Sequence, residues 1–274
     1  MLQVSVVIIT RNEAGNIVTC IESAKRIATD IIVIDTGSTD NTIDLAKKND
    51  ARVKAITWVN YGTARNAGAS IAVNDWIFAL DADERITHNL AANISAIDFG
   101  QTSKVYGFRR QNYFGERRLY HGPLGYDKVF RLYHRKNAQW DNVCVHEQLA
   151  GNNINFCCLD AVAEHYGNKD PEHYLQKKKE YAALWALKKK EQGRHPGTIL
   201  RLSSTVISFI KAYFIQLGFL DLKYGFKLAK INAYYTWYKY GLLQNLVKSG
   251  EKINPGKSLK IPPLQRNANA EQLI

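Results

Sequence analysis

Trp76-Ile77-Phe78-Ala79-Leu80-Asp81-Ala82-Asp83-Glu84 is the stretch on which the reading of this chain turns. Its five leading apolar residues have the length and composition of a strand buried on both faces, and the run ends in three carboxylates within four positions. Burying an unpaired carboxylate costs several kcal/mol or shifts its pKa. Asp81 and Asp83 are therefore expected where the strand emerges, in the crevice at the carboxyl end of a sheet, where open α/β folds bind ligands. Two carboxylates separated by the small Ala82 can share a divalent cation, since Mg²⁺ and Mn²⁺ take oxygen ligands from one or two carboxylates plus substrate phosphates. A solvated acidic turn after a strand has the same short pattern, so the upstream chain must decide between them.

Upstream, Val4-Ser5-Val6-Val7-Ile8-Ile9 is a β-branched run that ends at Thr10-Arg11-Asn12-Glu13. A helical pattern follows, with Ile17, Cys20, Ile21 and Ala24 on one face. Ile31-Ile32-Val33-Ile34 is a second apolar strand ending at Asp35, and Thr36-Gly37-Ser38-Thr39-Asp40-Asn41-Thr42 is rich in turn and cap formers. A helix is predicted from Ile43 to Lys48, a third strand from Arg52 to Thr57, and a short helix from Gly62 to Ala72, leading into the strand before Asp81. Strand and helix alternate through about 80 residues, which predicts a parallel sheet with crossover helices on its faces. In such a sheet Asn12-Glu13, Asp35 and Asp81-Asp83 lie along one edge, and that co-location argues for a site. Each of these residues taken alone is an ordinary cap or turn former.

Residues 104–165 change character: aromatics and short alternations predict antiparallel strands and long loops that extend the sheet and cover the crevice. From Pro171, a first-turn proline with Asp170 as its cap, the chain reads as helical. His195-Pro196-Gly197 interrupts it, and two further helices are expected from Ile199 to Gly218 and from Phe219 to Gly241. Their longest uncharged run, Leu202–Ile210, is nine residues, short of the roughly 20 that a spanning helix needs. Basic and aromatic residues together suit a surface lying against a membrane, while an ordinary helical subdomain would pack the same aromatics inward. The expected division is 1–168 for an α/β catalytic domain, 169–248 for a basic aromatic helical region, and 249–274 for a loosely ordered tail.

The totals agree with a globular protein of 274 residues, 46% hydrophobic and 23% charged. The net charge of +12 is uneven: residues 1–100 carry −3 and the remainder +15. A basic C-terminal part points to an anionic partner, a membrane surface or nucleic acid. Cys20, Cys144, Cys157 and Cys158 have no metal-site spacing and read as reduced thiols of a cytosolic protein. Met1-Leu2-Gln3-Val4 carries no basic segment ahead of the first strand, so no signal peptide is expected. Gly15 and Gly37 stand singly, so no glycine-rich phosphate loop is present, and a phosphate has to be met by metal and basic side chains.

Taken together, Val6–Glu13, Val33–Thr42, Ala64-Arg65-Asn66 and Leu80–Glu84 resemble, in order and spacing, the family 2 inverting glycosyltransferases of GT-A fold, over the first 90 residues. More loosely, Tyr113-Phe114-Gly115, His121-Gly122, Asp127, Arg131-Leu132, Val145-His146-Glu147 and Gly218-Phe219-Leu220-Asp221 resemble the bacterial subgroup that adds glucose to the inner core of lipopolysaccharide; Leu222 stands where that subgroup usually has glycine. The resemblance implies a Rossmann-like, mostly parallel α/β sheet with helices on both faces, plus the C-terminal helical region.

It also implies a UDP-sugar donor, a saccharide acceptor that is lipid-linked or part of lipopolysaccharide, and a divalent cation, Mg²⁺ or Mn²⁺. Glu13 and Asp35 would contact uracil and ribose, with Thr10, Asn12, Ser38 and Asn66 in the same binding segments. Arg65 would approach the diphosphate or hold the Asp81 loop. Asp81 would face the ribose and share the metal, which Asp83 binds. Inversion needs a general base for the acceptor hydroxyl, with Glu147 as the first candidate and Asp127 as the second. Either carboxylate could instead pair with an arginine for structure, and His165 could add a metal ligand. Such an enzyme is expected in the cytoplasm, peripheral on the inner face of the cell membrane, with no nucleic acid partner.

Three other readings fit less of the sequence. A nucleotidyltransferase shares the metal and carboxylates but usually has a glycine-rich Arg-Lys loop where this chain has Thr10-Arg11-Asn12-Glu13. A membrane- or nucleic-acid-binding module would use the +15 part and leave the strand-end carboxylates unexplained. Receiver-like phosphorylation lacks the acidic pair expected at the first strand.

Overall fold

Val4–Thr10 forms strand β1, and every one of its seven residues is buried. Alternate side chains of a strand point to opposite faces. Val6 and Ile8 enter one core with Ile17, Cys20 and Ile21, while Val7 and Ile9 enter a second with Ile34, Ala64 and Ala69. Apolar residues at both parities are what a strand covered on both faces requires, which explains the unbroken run. The computed structural model describes residues 2–141, 147–168 and 171–249.

After β1 come α1 (Ile17–Ala24), β2 (Asp30–Asp35), α2 (Thr42–Lys48), β3 (Arg52–Ala55), α3 (Tyr61–Ile71) and β4 (Trp76–Asp81). The strands lie in the order β3-β2-β1-β4, all parallel. Thr10 is in register with Asp35, and Ile9 with Asp81, so the ends of β1, β2 and β4 share one edge of the sheet. Helix α3 begins where the Asn60 side chain accepts the Thr63 N–H at 2.7 Å. It packs closely against the sheet at Gly68, where a Cβ would lie 2.2 Å from Val7 Cγ1 and 3.1 Å from Ile34 Cγ1.

The chain continues through β5 (Glu84–Ile86), α4 (His88–Ser95), β6 (Lys104–Phe114), β7 (Arg117–Arg118), β8 (Tyr126–His134), β9 (Gln139–Trp140), β10 (Leu149–Ala150) and β11 (Asn155–Asn168). Strands β8, β6, β11 and β5 extend the sheet beyond β4, β8 being antiparallel to β4 with Phe78 opposite Leu132. The expected α/β sheet with helices on its faces is therefore present, with the antiparallel extension expected for the aromatic segment. Strand β5 was not expected. Its antiparallel pairing with β11 sets Glu84 opposite His165.

The chain falls into two compact units, Met1–Asn112 with Tyr126–Gly167, and Tyr113–Gly125 with Asn168–Ile274. Tyr113–Gly125 groups with the helices. The reason is local packing: Phe114 and Leu119 share a cluster with Tyr174, Leu228 and Ile231. In that unit α5 (Pro171–Glu191) and α6 (Thr198–Ile210) both pack along α7 (Leu222–Lys248). A π-helical turn, Lys211–Ile215, continues α6, and a 3₁₀ turn, Gly218–Asp221, precedes α7.

One premise about these helices, their apolar length, is revised. Counted by uncharged run they were too short to span a membrane, yet Thr198–Ile215 is a continuous helical stretch of 18 residues with mean hydropathy 1.3, long and apolar enough to cross by length and composition alone. Arg201 and Lys211 break the run and lower its average, yet the mean hydropathy of the 18 residues remains 1.3. His146, Asp170 and the tail after Gly250 lie outside the described residues. Cys20, Cys157 and Cys158 are free thiols.

Candidate active site

At the shared sheet edge the first two loops are stitched together. Asp35, almost wholly buried, accepts the N–H groups of Gly37 and Ser38 at 3.0 Å each, and the Ser38 hydroxyl donates to its other oxygen. This is an aspartate turning the chain after a strand. Asn12, in the left-handed region at φ 56°, donates its N–H to Ser38 Oγ (2.9 Å) and accepts from the Thr39 N–H with its side chain (2.7 Å). Glu13 donates its N–H to Thr42 Oγ1 and accepts from the Asn16 side chain at 2.7 Å. Thr10 Oγ1 is buried with no hydrogen-bond partner among the described residues. Thr10, Asn12, Glu13, Asp35 and Ser38 thus form one cluster, though Asp35 and Asn12 each spend oxygens on building the loop.

Asp81 sits at the end of β4 between two arginines. Its Oδ1 accepts from Arg65 Nη2 at 2.9 Å and its Oδ2 from Arg131 Nη2 at 2.8 Å. Burial opposes its ionisation, but Arg131, Arg65 and Arg110 outweigh it and hold the carboxyl far below the usual carboxylate range. Glu84, with no exposed surface, accepts from Arg110 Nη1 at 3.1 Å and from the Asp81 N–H. Arg110 also pairs with Asp127, directly opposite it in the β6–β8 register, and Arg65 also pairs with Glu147. The Arg65 guanidinium stacks over Trp140, 4.4 Å from the ring centre. Three guanidiniums and four carboxylates therefore form one linked, largely buried network.

Both candidate bases belong to it: the Glu147 side chain is 16% exposed and that of Asp127 42%. Asn66 turns away from this cluster: its amide donates to the Trp140 carbonyl (2.8 Å) and accepts the Trp140 N–H (3.1 Å), so its polar atoms tie α3 to β9.

Asp83 lies two residues past Asp81, where the β5–β11 pairing brings His165 Nε2 to 3.5 Å from its Oδ2. His165 Nδ1 is 2.6 Å from Asn112 Oδ1. An amide oxygen only accepts, so Nδ1 carries the proton and Nε2 faces Asp83; a hydrogen bond of this kind fixes the tautomer and orientation of a metal-binding imidazole. Burial favours the neutral ring, but the hydrogen bond and charge of Asp83 raise the His165 pKa above its ordinary value. Gly167 passes so close that a Cβ would stand 2.6 Å from His165 Nε2 and 2.8 Å from Asp83 Oδ2.

No group of three His, Cys, Asp or Glu residues among those described is arranged to hold a metal ion. With both Asp81 oxygens engaged by arginine, the fitting donors are one carboxylate and one imidazole. That pair suits Mn²⁺ when ligand oxygens and water complete the coordination. Glu84 and Arg131 stood in quoted motifs without an assigned role, while Arg110 and Trp140 are the members of the site that sequence reading did not mark. The only signal was their mixed setting in aromatic strands, where an arginine reads equally well as surface.

The family model for glycosyl transferase family 2 matches residues 5–155. A glycosyltransferase of Rickettsia bellii (strain RML369-C) is 30% identical over 89% of this chain and 87% of its own length. One of Rickettsia prowazekii (strain Madrid E) is 28% identical over 92% and 90%. Solved structures are more distant: Staphylococcus aureus TarS 1–349 aligns over 94% of this chain and 95% of its own at 14% identity and a TM-score of 0.44. The sheet edge described above lies inside the matched segment, and the chain belongs to glycosyl transferase family 2.

Proposed function

We propose that this family 2 glycosyltransferase is an inverting hexosyltransferase that moves a sugar, with glucose the first candidate, from UDP to a saccharide carried on lipid or in the lipopolysaccharide core. The observation that carries the reading is the Asp83–His165 pair beside the arginine-clamped Asp81 at the end of β4. A carboxylate and an oriented imidazole are fitted to hold Mn²⁺ or Mg²⁺, which would offset charge on the departing diphosphate. Thr10, Asn12, Glu13, Asp35 and Ser38 line the neighbouring strand ends, where uridine would bind. The contacts of Arg65 and Arg131 with Asp81 support, of the two roles expected for Arg65, that of holding the Asp81 loop.

The chemistry then needs one base on the acceptor side. Glu147 is our first assignment because it shares Arg65 with Asp81. Asp127 is the second, and its greater exposure suits contact with an incoming hydroxyl. A peripheral position on the cytoplasmic face of a membrane follows from the lipid-linked acceptor and the basic second half.

Calorimetric titration with UDP, with and without Mn²⁺, tests the reading. Metal-dependent binding in the wild type and none in Asp83→Ala is the expected result; equal binding in both proteins removes the metal role. Glu147→Gln should keep UDP affinity while kcat falls by about 10²-fold or more, as loss of a general base does. A normal kcat in that variant, with a fall in Asp127→Asn, moves the base to Asp127.

A further inference from the structure

Helix α6 turns its main apolar stripe outward and bonds its polar groups to α7. Ile199, Leu202, Val206, Ile207, Ile210 and Phe214, three or four residues apart for the most part, are all exposed, Ile199 at 83%. The side facing α7 carries most of the helix's polar contacts, beside one ring contact of Phe209 with Phe226. There Arg201 donates from Nε to the Trp237 carbonyl (3.0 Å) and from Nη1 to Gln244 Oε1 (3.2 Å). Ser208 donates to the Asn232 carbonyl (3.3 Å) and accepts from Thr236 Oγ1 at 3.1 Å.

In water a helix places its apolar stripe inward. Hydroxyl and guanidinium groups bonded between helices, with aliphatic side chains turned out, is the pattern of a helix whose solvent on the outer side is hydrocarbon. Exposed apolar residues continue past it through Ile215, Leu217, Phe219, Leu220 and Leu222. Exposed Lys211, Lys223 and Lys227 stand beside them.

We propose that the outer face of α6 and the turn after it form a membrane-docking surface that lies in the headgroup–acyl boundary of an anionic bilayer. The inference deepens the lipid-linked-acceptor reading and rests on that reading only for its purpose. Thr198–Ile215 is about 27 Å long at about 1.5 Å per residue, near the thickness of a hydrocarbon core. Its partner α7, however, carries Lys223, Lys227, Lys230 and Lys239 along its length. Crossing together would draw those charges into hydrocarbon, whereas lying flat leaves them at the headgroups. The lysines also select the occupant: a lipid surface of negative charge is complementary to them, and a second copy of the same basic surface is not.

The test is co-sedimentation of the full chain with vesicles of phosphatidylglycerol and phosphatidylcholine, against Ile207→Glu/Phe214→Glu. We expect the wild type to partition at least tenfold more strongly than the double variant, to leave the vesicles in alkaline carbonate, and to bind pure phosphatidylcholine less. UDP affinity, read on the same samples, should be equal in the two proteins. Failure of the docking surface is thereby distinguished from failure of the nucleotide site. Equal partition of the two proteins, retention through the carbonate wash, or a wild-type dimer split by the double variant would each overturn the proposal. A second variant, Ile207→Trp, keeps the face apolar; its fluorescence should be quenched by brominated lipid, and absence of quenching in vesicle-bound protein counts against the proposal equally.

Discussion

Asp81 shows how one side chain can be both fold and site. Its two oxygens are the counter-charge of Arg65 and Arg131, which are almost fully buried. Removing one partner of a buried pair strands the other charge. Asp81→Asn should therefore destabilise the protein by about 3 kcal/mol, measured by urea unfolding. The sign of the pH effect follows from the depressed pKa. The carboxylate's contribution is complete above its unfolded pKa of about 3.9 and is lost as pH falls toward the much lower folded value. Stability of the wild type should thus fall below about pH 4 more steeply than that of Asp81→Asn, as followed by acid titration of the unfolding midpoint.

Leu222 makes the opposite point. It holds φ 53° and ψ −132°, a conformation that glycine adopts freely and leucine does not. Leu222→Gly should raise stability by about 1 kcal/mol, an effect that the same unfolding measurement would detect. This leucine is also exposed, so its side chain adds to the apolar surface beside α6.

Helix α3 links the sheet to the charge network. It presents Arg65 to Asp81 and Glu147, Asn66 to Trp140, and Gly68 to β1. Gly68→Ala should cost about 2 kcal/mol through overpacking against Val7. It should also weaken UDP binding, because lifting the helix moves Arg65. A stability loss with unchanged UDP affinity would show that the helix position and the nucleotide site are uncoupled. The pairing of β5 with β11 matters in the same way. Side chains alternate faces along a strand, so a register slip of one residue would turn His165 away from Asp83.

For the molecule as a whole, charge and ligand are the two handles. Excess positive charge in residues 101–274 predicts that vesicle binding weakens as salt rises from low to physiological concentration, since the attraction is screened over about 8–10 Å. Ligand linkage gives a measurement for the nucleotide site. UDP with Mn²⁺ at a hundredfold excess over Kd should add about 2.7 kcal/mol to the stability of the sheet unit, raising its Tm. The same addition should raise the Tm of His165→Ala less, because that variant has lost one of the two fitted metal donors.

What the sequence alone determined was the local and periodic part of this protein. Apolar runs of strand length, separated by helical patterns and ending in polar residues, specify a parallel sheet whose strand ends coincide, because burial on both faces and the chain path admit little else. Thr10, Asp35 and Asp81 were readable for that reason, as was the family resemblance. Of their partners, only Arg65 was named beforehand, through the resemblance, as a holder of the Asp81 loop; the rest of the network was not readable. Arg65, Arg110 and Arg131 come from three separate elements, and Glu84 and His165 meet the site through a two-strand register that no spacing announces. Asn66 looked like a binding residue and is instead spent on the backbone of Trp140. Likewise, the outward direction of the apolar stripe on α6 is fixed only by which face α7 occupies. Periodicity sets the existence of a face, while long-range packing decides what that face meets.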